Sequence, residues 1–293
     1  MPELPEVQTI VGDLNKKVRG LAITGVWTDW PNAFRRSPGG WKNFEPSVKG
    51  RKIEKVRRLG KNIIFDLSGG EKMLIHQKMT GHLLIGRWRL DKNRPVPEEQ
   101  GLLSEKVNGY IHTLFYLSGG KMMAFSDLRK FGKIIAAGGE KFSDLEDVKN
   151  IGPDLTAAGF SFFDFKKALA GRRGPIKKVL MDQSVVSGIG NIYSDEILFV
   201  ARIHPLKKTE NLSDVELRKI FSAAKKILKK AIKLRGTSIS DYRDTAGKAG
   251  GYDKVRLVYR KEGAPCPDKC GGKVRRIKIG GRSAHFCPHC QKL

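Results

Sequence analysis

Val7, Ile10, Val11, Leu14 and Val18 recur at the spacing that lays one apolar stripe along a helix, so the pattern predicts a short opening helix over 5–18. Pro5 falls in its first turn and Gly20 just past its end, where each residue is best tolerated. From 21 to about 135 the period becomes that of strands separated by glycines. Two stretches there resemble each other. Ile63-Ile64-Phe65-Asp66-Leu67-Ser68-Gly69-Gly70 leads to Met73-Leu74-Ile75-His76, and Leu114-Phe115-Tyr116-Leu117-Ser118-Gly119-Gly120 leads to Met122-Met123-Ala124-Phe125. Both read as hairpins, and a β-sandwich built partly from similar hairpins is the economical outcome. The charged, proline-bearing run 91–105 is expected to be a surface loop.

Around 138–153 the chain turns acidic and glycine-bearing, then the helical period returns, which marks a domain boundary. Four helices are predicted over 161–169, 175–183, 191–199 and 213–234. The last opens with Ser213 and Glu216 as a capping box and stops at Gly236. Its stripe of Ile220, Phe221, Ala224, Ile227, Leu228 and Ala231 is expected in the core, and the lysines opposite read as a solvated face before a reading surface.

Composition changes this picture in one respect. A hydrophobic share of 40% and a charged share of 29% suit a globular chain of 293 residues, and no run approaches the roughly 18 apolar residues that cross a bilayer. The N-terminus lacks the basic-then-apolar order of a secretory signal, so a cytosolic protein without disulfides is expected. The charge is the exception: 56 Lys and Arg against 30 Asp and Glu leave +26. Such an excess points to a polyanionic partner, nucleic acid ahead of an anionic membrane.

All four cysteines fall near the end, as Cys266, Cys270, Cys287 and Cys290. Two close pairs flanking Val274-Arg275-Arg276-Ile277-Lys278-Ile279-Gly280-Gly281-Arg282, which alternates apolar and basic residues around a Gly-Gly turn, can deliver four thiolates to one structural Zn2+ from two knuckles. The first pair encloses three residues where two is commoner. His285 and His289 are in range, but four thiolates fill the site, so both are expected to meet solvent or phosphate.

Gly188-Ile189-Gly190-Asn191 joins two predicted helices, and such a turn either binds phosphate through helix-start amides or simply turns the chain. It has company. Met1-Pro2-Glu3-Leu4-Pro5-Glu6-Val7, the segment from Leu180-Met181-Asp182-Gln183 through Gly188-Ile189-Gly190-Asn191-Ile192-Tyr193-Ser194-Asp195-Glu196, and Gly281-Arg282-Ser283-Ala284-His285-Phe286-Cys287-Pro288-His289-Cys290 together resemble the bacterial formamidopyrimidine-DNA glycosylase family, in order and from end to end.

The resemblance implies an α+β multidomain fold: an N-terminal helix and catalytic β-sandwich over 1–138, a helix-two-turn-helix DNA-binding domain over 139–236, and over 237–293 a lesion-recognition loop and β-hairpin zinc finger, with duplex DNA held between the halves. It implies a monomeric, bifunctional repair enzyme that excises oxidised purines through an N-terminal proline Schiff base and then cleaves the strand. Removal of Met1 would free the secondary amine of Pro2, a nucleophile near neutrality. Glu3 is similar to the family's proton carrier, and Glu6 is close enough to assist it or to order the terminus; without the family, both would read as acids favouring a helix start. Lys61 matches a lysine that contacts phosphate and supports catalysis. His76 is similar to a backbone-binding histidine, and Asn191 and Arg282 match phosphate ligands. Met79, Arg129 and Phe131 resemble the side chains that fill the gap left by an everted nucleotide, Arg129 toward the orphan base and Phe131 as a wedge; core packing is the plain alternative for each apolar one. The stretch 236–251 corresponds to a mobile loop over the extruded base. This chain departs from the family's pattern at Leu128 and Lys130, where proline and arginine are usual, at Arg260, where glycine is expected, and in the longer first cysteine pair. Two rivals stand beside this reading: an endonuclease VIII-type glycosylase for oxidised pyrimidines, against which Leu4 argues, and a non-enzymatic zinc-containing DNA-binding protein.

Overall fold

The computed structural model describes residues 1–239 and 241–293; Ser240, within the expected loop 236–251, lies outside the described residues. The chain forms two compact units: Met1–Lys149 with Leu234–Asp253, and Asn150–Lys233 with Lys254–Leu293. This partition differs from the expected one at 138 and 236. Segment 234–253 returns to the first unit because Arg235 bonds both Asp13, at 2.5 Å, and Asp244, at 2.8 Å, while the Ile85 amide donates to the Thr245 carbonyl at 2.8 Å.

The first unit opens with α1 (Leu4–Lys17), whose first turn Glu3 and Glu6 cap reciprocally. Next come β1 (Ile23–Thr28), α2 (Gly40–Val48), β2 (Ile53–Leu59), β3 (Asn62–Leu67), β4 (Glu71–His76), β5 (His82–Gly86), β6 (Trp88–Asp91), β7 (Arg94–Pro97), β8 (Ile111–Leu117), β9 (Met122–Ser126) and β10 (Lys133–Gly138), then α3 (Gly139–Ser143) and α4 (Glu146–Lys149). Two four-stranded antiparallel sheets, ordered β1-β8-β9-β5 and β10-β4-β3-β2, enclose a core that includes Phe65, Met73, Ile75, Phe115, Met123 and Phe125. The run 91–105 is not one loop, since β6 and β7 pair across it. No pattern announced α2, which carries Pro46 within it; Trp41 and Phe44 hold it by packing on Phe34, with ring centroids 4.8 and 4.4 Å apart.

The paired hairpins repeat one design. In β3–β4 Phe65 faces Met73 and in β8–β9 Phe115 faces Met123, with Ser-Gly-Gly at both turns. The hydroxyls of Ser68 and Ser118 accept from the Lys52 and Ala22 amides, both at 3.0 Å. Ala22 and Lys52 pair across an antiparallel bridge, so the two sheets meet at corresponding points.

In the second unit lie α5 (Phe162–Leu169), α6 (Ile176–Met181), α7 (Asn191–Ala201) and α8 (Asp214–Lys233), followed by the hairpin β11 (Arg275–Ile279) and β12 (Arg282–Phe286). Ser161 caps α5 and Ser213 caps α8, as their spacing predicts. The apolar stripe of α8 is buried apart from Phe221, which is half-buried against Phe165. The architecture is therefore the expected α+β arrangement of helix and sandwich, helical domain and terminal hairpin.

Candidate active site and nucleic-acid interface

Chain start, hairpin turn and returning segment converge in the first unit. Pro2, Glu3 and Glu6 are buried, and the Glu3 amide donates to Glu6 Oε2 at 2.8 Å. Burial pushes the Met1 amino group below its ordinary value, Glu3 and Glu6 oppose that shift, and Lys61 reinforces it, so these four residues share one electrostatic neighbourhood. Lys61 follows Gly60 in the tight β2–β3 turn and is only 7% exposed, which removes the reading of a solubilising surface lysine. The other oxygen of Glu6 accepts from the Thr237 amide at 2.7 Å, and Tyr242 Oη donates to the Glu6 carbonyl at 3.4 Å. Gly236 is required here: its φ is +80° and an added β-carbon would lie 2.7 Å from Glu6 Oε1. Glu6 thus ties the N-terminus to the returning segment, in line with the expected ordering of the terminus, while Thr237 as its partner had no signal in the sequence.

His76 ends β4, and its Nδ1 accepts from the Lys78 amide at 2.9 Å, which leaves the ring proton on Nε2 as a donor. Burial, with Lys78 and Lys133 adding to it, lowers its pKa to about 3, so the ring is neutral at physiological pH. Met79 is 40% exposed and Phe131 51%, too open for core residues. The Arg129 guanidinium lies 4.6 Å from the Phe131 ring centroid. Asp127, fully buried, organises this loop: it accepts from the Thr80 hydroxyl and from the amides of Arg129, Phe131 and Gly132, at 3.3, 2.9 and 2.7 Å for the three amides. Met1, Met79 and Phe131 border one cavity of about 600 Å³, with Arg35, Arg36 and Lys133 supplying positive charge.

The second unit holds the remaining residues. Asn191 opens α7 and lines a cavity of about 460 Å³ with Ser283, whereas Arg282, exposed at the start of β12, lines a different one of about 540 Å³ with Arg172, Arg173 and Lys178. The Gly188-Gly190 turn is held by Gln183, which accepts from the Gly188 amide at 2.9 Å and donates to the Ile189 carbonyl at 2.8 Å. The Gly188 amide is therefore committed to the turn. His285, expected to meet solvent or phosphate, is instead buried: its amide and Nδ1 both contact Asp195 Oδ2 at 2.9 Å, and Asp195 Oδ1 pairs with the fully buried Lys177 at 2.5 Å. Burial of an ion pair demands such extra partners, and this one fastens β12 to α6 and α7. His289 remains exposed.

The four cysteine sulfurs lie within 4.8 Å of one another, with Cys266–Cys290 at 3.7 Å and Cys270–Cys287 at 3.5 Å. Four thiolates around a tetrahedral Zn2+ with bonds of about 2.3 Å stand about 3.8 Å apart, so the donor set and its spacing fit one structural zinc ion. Within the longer first knuckle Lys269 takes a left-handed conformation, and its amide donates to the Cys266 carbonyl at 2.9 Å. Among the described residues no helix is long and apolar enough to cross a membrane.

Comparison with known proteins agrees with this arrangement. Residues 1–134 match the formamidopyrimidine-DNA glycosylase N-terminal domain, 151–243 the H2TH domain of the same family, and 263–293 a zinc finger found in FPG and IleRS. The chain is 37% identical over 292 residues to the formamidopyrimidine-DNA glycosylase of Heliobacterium modesticaldum, covering 100% of both. It is similar to a Lactococcus lactis FPG mutant in complex with a Fapy-dG containing DNA, with a TM-score of 0.84 and 31% identity, covering 100% of each chain. The Lactococcus lactis Fpg in complex with an abasic site containing DNA gives the same TM-score and identity, covering 99% of this chain and 100% of that one.

Proposed function

Since this chain belongs to the formamidopyrimidine-DNA glycosylase family, we propose that it is a base-excision repair enzyme which removes oxidised purines, such as 8-oxoguanine and formamidopyrimidines, from duplex DNA and then cleaves the strand at the abasic site. The reading is supported by one observation: the amino group at the chain start shares an electrostatic neighbourhood with buried Glu3, Glu6 and Lys61, an amine among proton carriers beside a cation. With Met1 removed, the Pro2 nitrogen attacks the sugar C1′ and the bond to the damaged base breaks, the base leaving with a proton. Glu3 protonates the ring oxygen as the sugar opens to an iminium. That cation draws electrons from C2′, so loss of a C2′ proton expels the 3′ phosphate, and a second elimination expels the 5′ phosphate. Glu6 orders the terminus through Thr237. Lys61, His76, Asn191 and Arg282 are assigned to phosphates. Neutral His76 does so as a donor through Nε2, and Met79, Arg129 and Phe131 replace the stacking lost when the nucleotide turns out. One structural zinc ion on Cys266, Cys270, Cys287 and Cys290 would hold the hairpin that carries Arg282. Action as a monomer in the bacterial cytosol completes the proposal.

Borohydride reduction of the processed protein with a duplex bearing 8-oxoguanine is expected to trap a covalent complex through Pro2. A protein that retains Met1, with the same nitrogen acylated, is expected to give none. Absence of the adduct from processed protein refutes the enzymatic reading. Stronger trapping on oxidised pyrimidines in a panel of lesion duplexes favours the endonuclease VIII-type alternative.

A further inference from the structure

Eight described residues other than glycine hold a left-handed backbone, and seven of them are Lys or Arg. A β-carbon is crowded in that conformation, so a side chain persists there when its surroundings compensate. Arg235 has Asp13 and Asp244 to do so. Arg260, with φ +54°, has no carboxylate in ion-pair range among the described residues, and it stands where the family pattern leads one to expect glycine.

The local build shows where that arginine is aimed. Lys261 donates to the Val258 carbonyl at 3.0 Å, closing a turn with Arg260 at its third position. The turn is fixed to α7 by Glu196, a fully buried residue whose carboxylate accepts from the amides of Leu257, Val258 and Tyr259 at 2.8, 2.9 and 3.0 Å. Asn191 begins the same helix, and its Nδ2 lies 3.5 Å from Tyr259 Oη. Tyr259 rests edge-on against His285, with centroids 5.1 Å apart, and the Arg260 guanidinium sits 5.9 Å from the Tyr259 ring centroid. Asn191, Arg260, Arg276 and Ser283 line the cavity of about 460 Å³. The one carboxylate among its lining residues, Glu262, lies 3.9 Å from Arg276, which also donates to Ser283 at 3.0 Å. Arg260 is thus an uncompensated cation beside amide and hydroxyl donors, on a turn that cannot drift.

We propose that Arg260 is a further ligand for a backbone phosphate of the DNA, held beside Asn191 by the turn that Glu196 anchors. The proposal rests on the function proposed above. Guanidinium suits the task, because its planar donors can grip two phosphate oxygens at once.

The test uses the zinc-loaded full chain and a fluorescent duplex carrying a tetrahydrofuran abasic analogue, with anisotropy read across a series of sodium chloride concentrations. Glycine is at ease in a left-handed turn, so R260G is expected to melt no lower than the parent, which separates lost contact from lost fold. R260Q keeps a long side chain but no charge. Both variants are expected to bind about tenfold more weakly at low salt. Both are also expected to flatten the plot of log affinity against log salt by about 0.9, the share of one phosphate. R260G with parental affinity and slope overturns the proposal whatever R260Q does, because the glycine variant lacks the guanidinium altogether. Failure of the parent protein to trap with borohydride, alongside a flattened slope in R260G, would instead refute the enzymatic reading and leave the phosphate contact standing.

Discussion

His76 shows how one side chain can be tuned by its own loop. The Lys78 amide takes its Nδ1, and burial holds the ring neutral down to about pH 3, against an ordinary value of 6.5. In the unfolded chain the ring therefore binds a proton at a pH where the folded protein refuses one. The unfolded state holds more protons between these values, so this group's contribution is fully present above pH 6.5 and is lost as pH falls toward 3. His76→Gln, which cannot titrate there, is expected to reduce the loss of stability between pH 7 and 5, measured as the shift in urea midpoint. An unchanged shift would mean that the ring titrates normally. The sequence offered His76, Lys61 and Glu3 as residue types in a matching order, but it could not give their burial. Burial is what turns Lys61 from a surface charge into part of an electrostatic cluster, and His285 from a surface contact into the partner of Asp195.

Elements with a clear period are legible in the sequence. The opening helix, both Ser-Gly-Gly hairpins, the capped helices α5 and α8 and the terminal hairpin all appear where spacing and capping residues put them. Elements held by long-range contacts were not. Helix α2 has no sustained stripe and depends on Phe34, and segment 234–253 joins the first unit through Asp13 and Glu6, more than two hundred residues earlier in the chain. The loop 126–132 belongs to this second kind. Its exposed Arg129 and Phe131 were readable as a motif, yet the residue that shapes it is Asp127 beneath them. Asp127→Ala strips three amides and a hydroxyl of their acceptor. It is expected to cost about 2–3 kcal/mol of stability, since unsatisfied buried donors cost about 1–3 kcal/mol each and some of these can reach water. Excision should fall with it, whereas a stability within about 0.5 kcal/mol of the parent would show that the loop is shaped by other contacts.

Across the whole molecule, a charge of +26 and a chelatable hairpin govern how the chain meets a polyanion. On the phosphate roles proposed for them, Lys61, Arg260 and Arg282 alone predict a salt slope for DNA affinity of about 2.7 or steeper, and a slope below about 2 would place the positive excess away from the interface. Stripping zinc, or replacing Cys287 by Ser, is expected to release one metal ion per chain, loosen the hairpin and weaken DNA binding, because the thiolates and the fold of that segment stabilise one another. DNA binding that survives complete metal loss would detach Arg282 from the interface. The twinned sheets carry a further consequence. Their matching registers make β4 and β9 counterparts, so the loop after each, one bearing Met79 and the other Arg129 and Phe131, leaves the scaffold from equivalent points. A base pair has its own approximate two-fold axis. On the function proposed here, the repeated hairpins of the sandwich meet that symmetry with two corresponding loops whose tips differ, so each can answer a different partner of the broken pair.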